Sequence, residues 1–189
     1  RRSTTGGHAV EVVGGSLTVY SGTFTAAQGN GILVSGGSAV IHDGNFTGND
    51  AYYYDYSNNA PVSGAAASYS FKLYGGSVTI YGGTFDGSGS SAFVMGESES
   101  NTATANIYGG TFSVTGQAGF SVYQNVTVNF KKGYKDENGT GGDITVSANT
   151  VGIAIENTTN SYTTVNINGG TYQSTGSGGD YDGIWYSNP

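Results

Sequence analysis

No cysteine and only two prolines occur among the 189 residues. The first absence removes disulfide frameworks, thiolate zinc sites and thiol nucleophiles. Charge is scarce as well, with six Lys and Arg against 13 Asp and Glu. A chain of net charge −7 repels nucleic acid and anionic bilayers, so no nucleic-acid partner is expected. Nor does any apolar run approach the roughly 18 residues of a helical membrane span, so no membrane span is expected. With only 36% of residues hydrophobic, the chain cannot fill a wide core. It can fill a narrow one, if short strands send alternate side chains inward and small residues turn the corners.

Glycine (34 residues) and tyrosine (15) are abundant instead, and they fall into a repeat. One phrase reads Tyr20-Ser21-Gly22-Thr23-Phe24, His42-Asp43-Gly44-Asn45-Phe46, Tyr81-Gly82-Gly83-Thr84-Phe85, Tyr108-Gly109-Gly110-Thr111-Phe112 and Asn168-Gly169-Gly170-Thr171-Tyr172. Self-similarity of this kind means a fold built by stacking one unit. Before each phrase runs a strand, B, with apolar residues at every second position: Leu17/Val19, Ala39/Ile41, Val78/Ile80, Ala105/Ile107, Val126/Val128 and Val165/Ile167. Before that runs a strand A, aligned at Val12, Val34, Leu73, Val94, Val122, Ile155 and Tyr186. Period two in both predicts strands with one buried face. Phe24, Phe46, Phe85, Phe112 and Tyr172 then open a strand C and stack inside as a ladder.

The shortest spacing of the strand A positions, 21 residues from Leu73 to Val94, sets the bare rung. Longer spacings place insertions at 49–69, 97–104 and 135–143. Residues 1–189 read as one domain of six complete rungs and a partial seventh, about 30 Å tall at the usual strand separation. Rung five is irregular: either Tyr134 fills its aromatic slot after a one-residue insertion, or Ile144-Thr145-Val146 is its strand C. Strand A reaches Asn188-Pro189 without a capping element, which predicts a fragment of a longer solenoid.

The predicted fold is therefore all-β, a right-handed single-stranded parallel β-helix, or β-solenoid. On these phrases the chain resembles the pectin-lyase-like superfamily, and in particular the Gly-Gly-Thr-Phe-rich solenoids of large bacterial cell-surface proteins. For the enzymes of that group the resemblance implies a calcium-bound acidic cluster with a Lys or Arg base, or clustered Asp carboxylates. The walls here carry only Glu11, Lys72, Glu156 and Asp43, with Asp180 and Asp182 in a Gly-rich corner. No two carboxylates fall on adjacent rungs of one column, where paired acid and nucleophile are needed.

Two walls carry aromatic groups suited to a ligand. Outward on strand B stand Tyr20, His42, Tyr81, Tyr108, Asn129 and Asn168, flat rings and amides that could stack on sugars and bind their hydroxyls. The competing reading is that Tyr and Thr favour exposed sheet positions and stack on themselves. Outward on strand A the alternation places Leu33, Phe93, Trp185, Tyr74, Met95 and Tyr123. That is too apolar for a wet face, so either another molecule covers it or, as is expected, the insertion holding Ala51-Tyr52-Tyr53-Tyr54-Asp55-Tyr56, with Tyr69, folds over it. Asp136, Asn138, Thr140 and Asp143 alternate as calcium ligands would, although the twelfth loop position is Ser147 and no helices flank it; a solvated loop is the plainer reading. The expected function is a non-catalytic, extracellular surface solenoid, an adhesin or stalk that binds polysaccharide or host glycan. A polysaccharide lyase or glycoside hydrolase, and a purely structural spacer, are the alternatives.

Overall fold

The computed structural model describes residues 7–49, 51–55, 60–66, 68–87, 91–96, 101–156, 162–176 and 182–187. These form a parallel β-helix of three sheets. Sheet A holds Val10–Val12, Ile32–Val34, Phe71–Leu73, Ser91–Met95, Ala118–Val122, Val151–Glu156 and Asp182–Ser187. Sheet B holds Ser16–Val19, Ser38–Ile41, Gly76–Ile80, Ala103–Ile107, Val126–Lys131 and Thr164–Asn168. Sheet C holds Thr23–Thr25, Asn45–Gly48, Thr84–Gly87, Gly110–Val114, Ile144–Ala148 and Thr171–Ser174. The chain visits A, B and C in turn, so each strand bonds to its counterpart one circuit earlier and one later.

The interior is organised by two ladders of rings. Phe24, Phe46, Phe85 and Phe112 stack in the first strand C column at centroid separations of 5.1, 4.8 and 4.6 Å, with planes within 13°. Phe71, Phe93 and Phe120 stack from sheet A at 4.6 and 4.9 Å. The ladders meet edge-on, Phe71 against Phe85 and Phe93 against Phe112, each at 6.2 Å. Offset stacks within a ladder and edge contacts between ladders both suit the ring quadrupole.

The first ladder explains the second glycine of the repeated phrase. Gly22, Gly44 and Gly110 have φ of 137°, 140° and 121°, and a Cβ on any of them would lie 3.0–3.2 Å from the Phe ring two residues on. Only glycine tolerates both demands. Rung five obeys the same logic in reverse: Ile144 pairs with Gly110 and Val146 with Phe112. Where Val replaces the ring, a side chain fits in the glycine place.

Ile144–Ala148 is thus the strand C of rung five, which settles that alternative, and Tyr134 lies outside. Two registers differ from the sequence expectation. In rung four Met95, not Val94, aligns with Leu73 and Val122. Phe93 and Met95 are therefore fully buried core residues rather than outward ones, and Val94 faces outward in the column of Leu33, Lys72, Ser121, Ala154 and Trp185. In rung five the strand B partner of Ile107 is Phe130, not Val128. The extra apolar residue lets the strand slide by two, and Asn129 stays on the outer face, beside Asn106 instead of Tyr108.

The 49–69 insertion includes an antiparallel hairpin of Ala51–Asp55 and Ala60–Ala66. Tyr56 and residues 97–100 lie outside the described residues, and Ala103 and Thr104, expected in the second insertion, belong to a sheet B strand. Although the register turns Val94, Ser121 and Ala154 away from the core, all three are buried. Buried on both sides, Ala92, Phe93, Val94 and Met95 read as an unbroken apolar run.

Phe85 has rings at 4.8 and 4.6 Å on its two sides and an edge contact to Phe71. Phe85→Ala is expected to destabilise the fold by about 3–5 kcal/mol, the range for core aromatic truncations, read as a lower denaturation midpoint with unchanged slope.

Candidate functional site: an aromatic wall and a tryptophan cleft

On the outer face of sheet B the phrase-opening residues do form a column. Tyr20, His42, Tyr81 and Tyr108 succeed one another at 4.7, 5.5 and 5.1 Å, with interplanar angles of 12°, 17° and 36°. Tyr134 continues it, 5.4 Å from Tyr108 and tilted 26°. Each inner ring therefore turns its faces to its neighbours and its edge to solvent. Edges can donate or accept hydrogen bonds, but the faces of His42, Tyr81 and Tyr108 that a sugar ring would stack on are occupied, whereas the end rings Tyr20 and Tyr134 are 64% and 58% exposed. Asn129 and Asn168 are not in the ring column's succession: Asn129 bridges Asn106 and Asn166 in an amide ladder with bonds of 3.0 and 2.8 Å, and Asn168 pairs with Lys131.

The loop of rung five folds back along this column as a strap. Gly142 N–H donates to the Tyr108 carbonyl at 3.1 Å, and Gly110 N–H donates to the Asp143 carbonyl at 3.0 Å. Further along, the Asp136 carboxylate meets His42 Nδ1 in a short contact. Its other oxygen accepts from the Asn138 and Thr140 amides at 2.9 and 2.7 Å. The Asp136 side chain is left only 3% exposed. Removal of water from the carboxylate acts to raise its pKa, but the bonds from His42, Thr140 and Asn138 outweigh this and hold it below the ordinary aspartate value.

Of the four residues considered for calcium, the two carboxylates go to different partners: Asp136 to His42, and Asp143 to Lys132 at 2.9 Å. The Lys132 contact also holds Asp143 below the usual aspartate pKa. Among the described residues no three His, Asp or Glu side chains cluster as metal ligands would. The loop's own chemistry is that of a latch.

Sheet A presents a different surface. Tyr74 lies under Lys72 Nζ, 5.9 Å from its ring centroid, and Tyr123 is half-buried with its carbonyl accepting from the Thr163 hydroxyl. Neither shares a site with Trp185. Trp185, in the last strand of the sheet, is 41% exposed and borders a cleft of about 450 Å³ with Gln117, Ala118, Thr150, Val151, Glu156 and Asp182. Ala118, Val151 and Ala154 form a small apolar cluster on this outer face, separate from the main core. Glu156 was legible as a wall acid and Asp182 as one of a pair in a Gly-rich corner; pairing Val151 with Asp182 and Ala154 with Trp185 brings the two to one cleft. Asp180, considered with Asp182, lies outside the described residues.

A comparison of the chain with protein-family models, curated proteins and solved structures finds no match.

The latch has a pH signature. Because the Asp136 pKa is depressed in the folded state, its contribution is complete above the ordinary aspartate value of about 3.9 and is lost as pH falls through the lower folded value. Unfolding temperature measured against pH should therefore fall more steeply on the acid side for the parent chain than for Asp136→Asn.

Proposed function

We propose that this chain is a non-catalytic binding solenoid that takes up saccharide in the Trp185 cleft. The observation that carries the reading is a half-exposed tryptophan beside acid and amide side chains in one cleft. An indole face packs on the C–H face of a pyranose, while Glu156, Asp182, Gln117 and Thr150 offer acceptors and donors to its hydroxyls. The cleft supports this better than the aromatic wall, whose inner ring faces meet one another and whose exposed end rings, Tyr20 and Tyr134, stand at opposite ends of the column without a cleft between them. Its resemblance to Gly-Gly-Thr-Phe-rich surface solenoids of the pectin-lyase-like group fits the same reading: an extracellular adhesin or stalk of a bacterial surface protein, meeting polysaccharide or host glycan.

The enzymatic alternative fares less well on geometry. Glu156 and Asp182 stand five strand positions apart in register, roughly 16 Å along the sheet at the usual rise per residue. Paired glycosidase carboxylates stand about 5–9.5 Å apart. The described lining of the cleft includes no Lys or Arg to act as a lyase base. The spacer alternative draws on the aromatic wall, where stacking and the strap serve the fold. Calcium would have to draw Asp136 away from His42 and Asp143 from Lys132; an increase in unfolding temperature on adding calcium, lost in Asp136→Ala, would establish it.

Calorimetric titration with neutral, amine-bearing and acidic oligosaccharides tests the proposal, run beside reducing-end and unsaturated-product assays. Saturable binding without turnover is expected. Trp185→Ala should abolish it while shifting stability by no more than about 1 kcal/mol, as surface substitutions do. Robust turnover, or no binding to any saccharide, would overturn it.

A further inference from the structure

We infer that the Trp185 cleft selects an amine-bearing saccharide, a chain of hexosamine units with free ammonium groups, over neutral or acidic ones. This inference rests on the saccharide reading of the cleft and adds the chemistry of its ligand. Two charged side chains line the cleft among the described residues, Glu156 and Asp182, and both are acidic. They sit towards opposite ends of it, since Asp182 pairs with Val151 and Glu156 with Ser187 five positions along. Trp185 stands between them, opposite Ala154.

Each of these features favours positive charge. An ammonium group over an indole face is attracted by the ring quadrupole, and tryptophan is the strongest of the aromatic side chains in this respect. Carboxylates at both ends suit a ligand that carries charge on more than one unit, so that one amine meets Asp182 while another meets Glu156. The chain's net charge of −7 adds a long-range field of the same sign. Uronate polymers, whose carboxylates would face these two acids without a cation among the described lining, are disfavoured by like-charge repulsion. An N-acetylated chain keeps the ring shape and loses the charge, which makes it the matched control.

The sequence supplies its own probe, because Trp185 is the single tryptophan. Indole emission from the intact chain therefore reports on this cleft and nothing else. The chain is titrated in weakly acidic, low-salt buffer with four ligands of equal length: glucosamine oligomer, its N-acetylated form, oligogalacturonate and oligolysine. The glucosamine oligomer should bind roughly fivefold to twentyfold more tightly than the N-acetylated form, as expected for two solvent-exposed charge contacts together. Oligogalacturonate should leave the emission unchanged, and the preference should shrink with salt as screening shortens to about 3 Å near 1 M. Glu156→Gln and Asp182→Asn should each reduce the preference roughly two- to fivefold, with the unfolding temperature retained as the check that they fold.

Equal binding of the free and acetylated oligomers, or a preference that survives in the double variant, would overturn the selectivity while leaving saccharide binding intact. Oligolysine binding as tightly as the glucosamine oligomer would overturn it too, assigning the cleft to charge alone or to a basic peptide. Silence towards every saccharide would overturn the selectivity together with the saccharide reading beneath it.

Discussion

The interior of this solenoid is one side chain deep from each wall, so its stability depends on successive rungs repeating one shape in one column. A strand of three to six residues has no independent stability, and no single rung encloses a core. What makes the stack cohere is ring-on-ring packing in register with the backbone ladders. The glycine two residues before Phe24, Phe46 and Phe112 belongs to the same constraint, because its missing Cβ is the space the ring occupies. Gly-Gly-Thr-Phe is thus a statement about interior shape. Its threonine faces out, its phenylalanine in, and its second glycine makes room between them.

The same stacking habit has opposite consequences inside and outside. Within the core, parallel rings exclude water and fix the register. On the sheet B wall, the Tyr20, His42, Tyr81, Tyr108 and Tyr134 rings turn their faces to one another. A column that looks in sequence like a row of sugar platforms is, in space, closed along its middle, with Tyr20 and Tyr134 exposed at its two ends. Trp185 differs in two ways: its strand neighbour is the small Ala154, and it stands in the edge strand of sheet A, where Ile184 and Tyr186 are exposed as well. The small residue on one side and the sheet edge on the other together leave the indole uncovered among the described residues.

Most of the architecture was legible from period-two alternation and the repeated phrase, because every rung restates them. Registers failed where the alternation is erased. Ser91–Met95 is buried on both faces, so Ala92, Phe93, Val94 and Met95 give no clue to which of them points inward. Val126–Lys131 carries three apolar residues at alternate positions, and two registers satisfy the pattern equally. The cleft was legible only in part. Trp185 stood out by type, whereas Glu156 and Asp182 are distant enough in sequence that only strand pairing joins them. His42 and Asp136, separated by 94 residues, carried no shared signal at all.

The strap alters what kind of polymer this is. In an ordinary solenoid each unit is coupled only to the units next to it, and melting can creep inward from either end one unit at a time. A loop leaving rung five and fastening to His42 in rung two adds a coupling that skips the two rungs between. Rungs two to five then behave as a clamped block within a chain of nearest-neighbour links. Such a block opens as a whole or not at all, and slow exchange of its backbone amides would reach outward only as far as the clamp does.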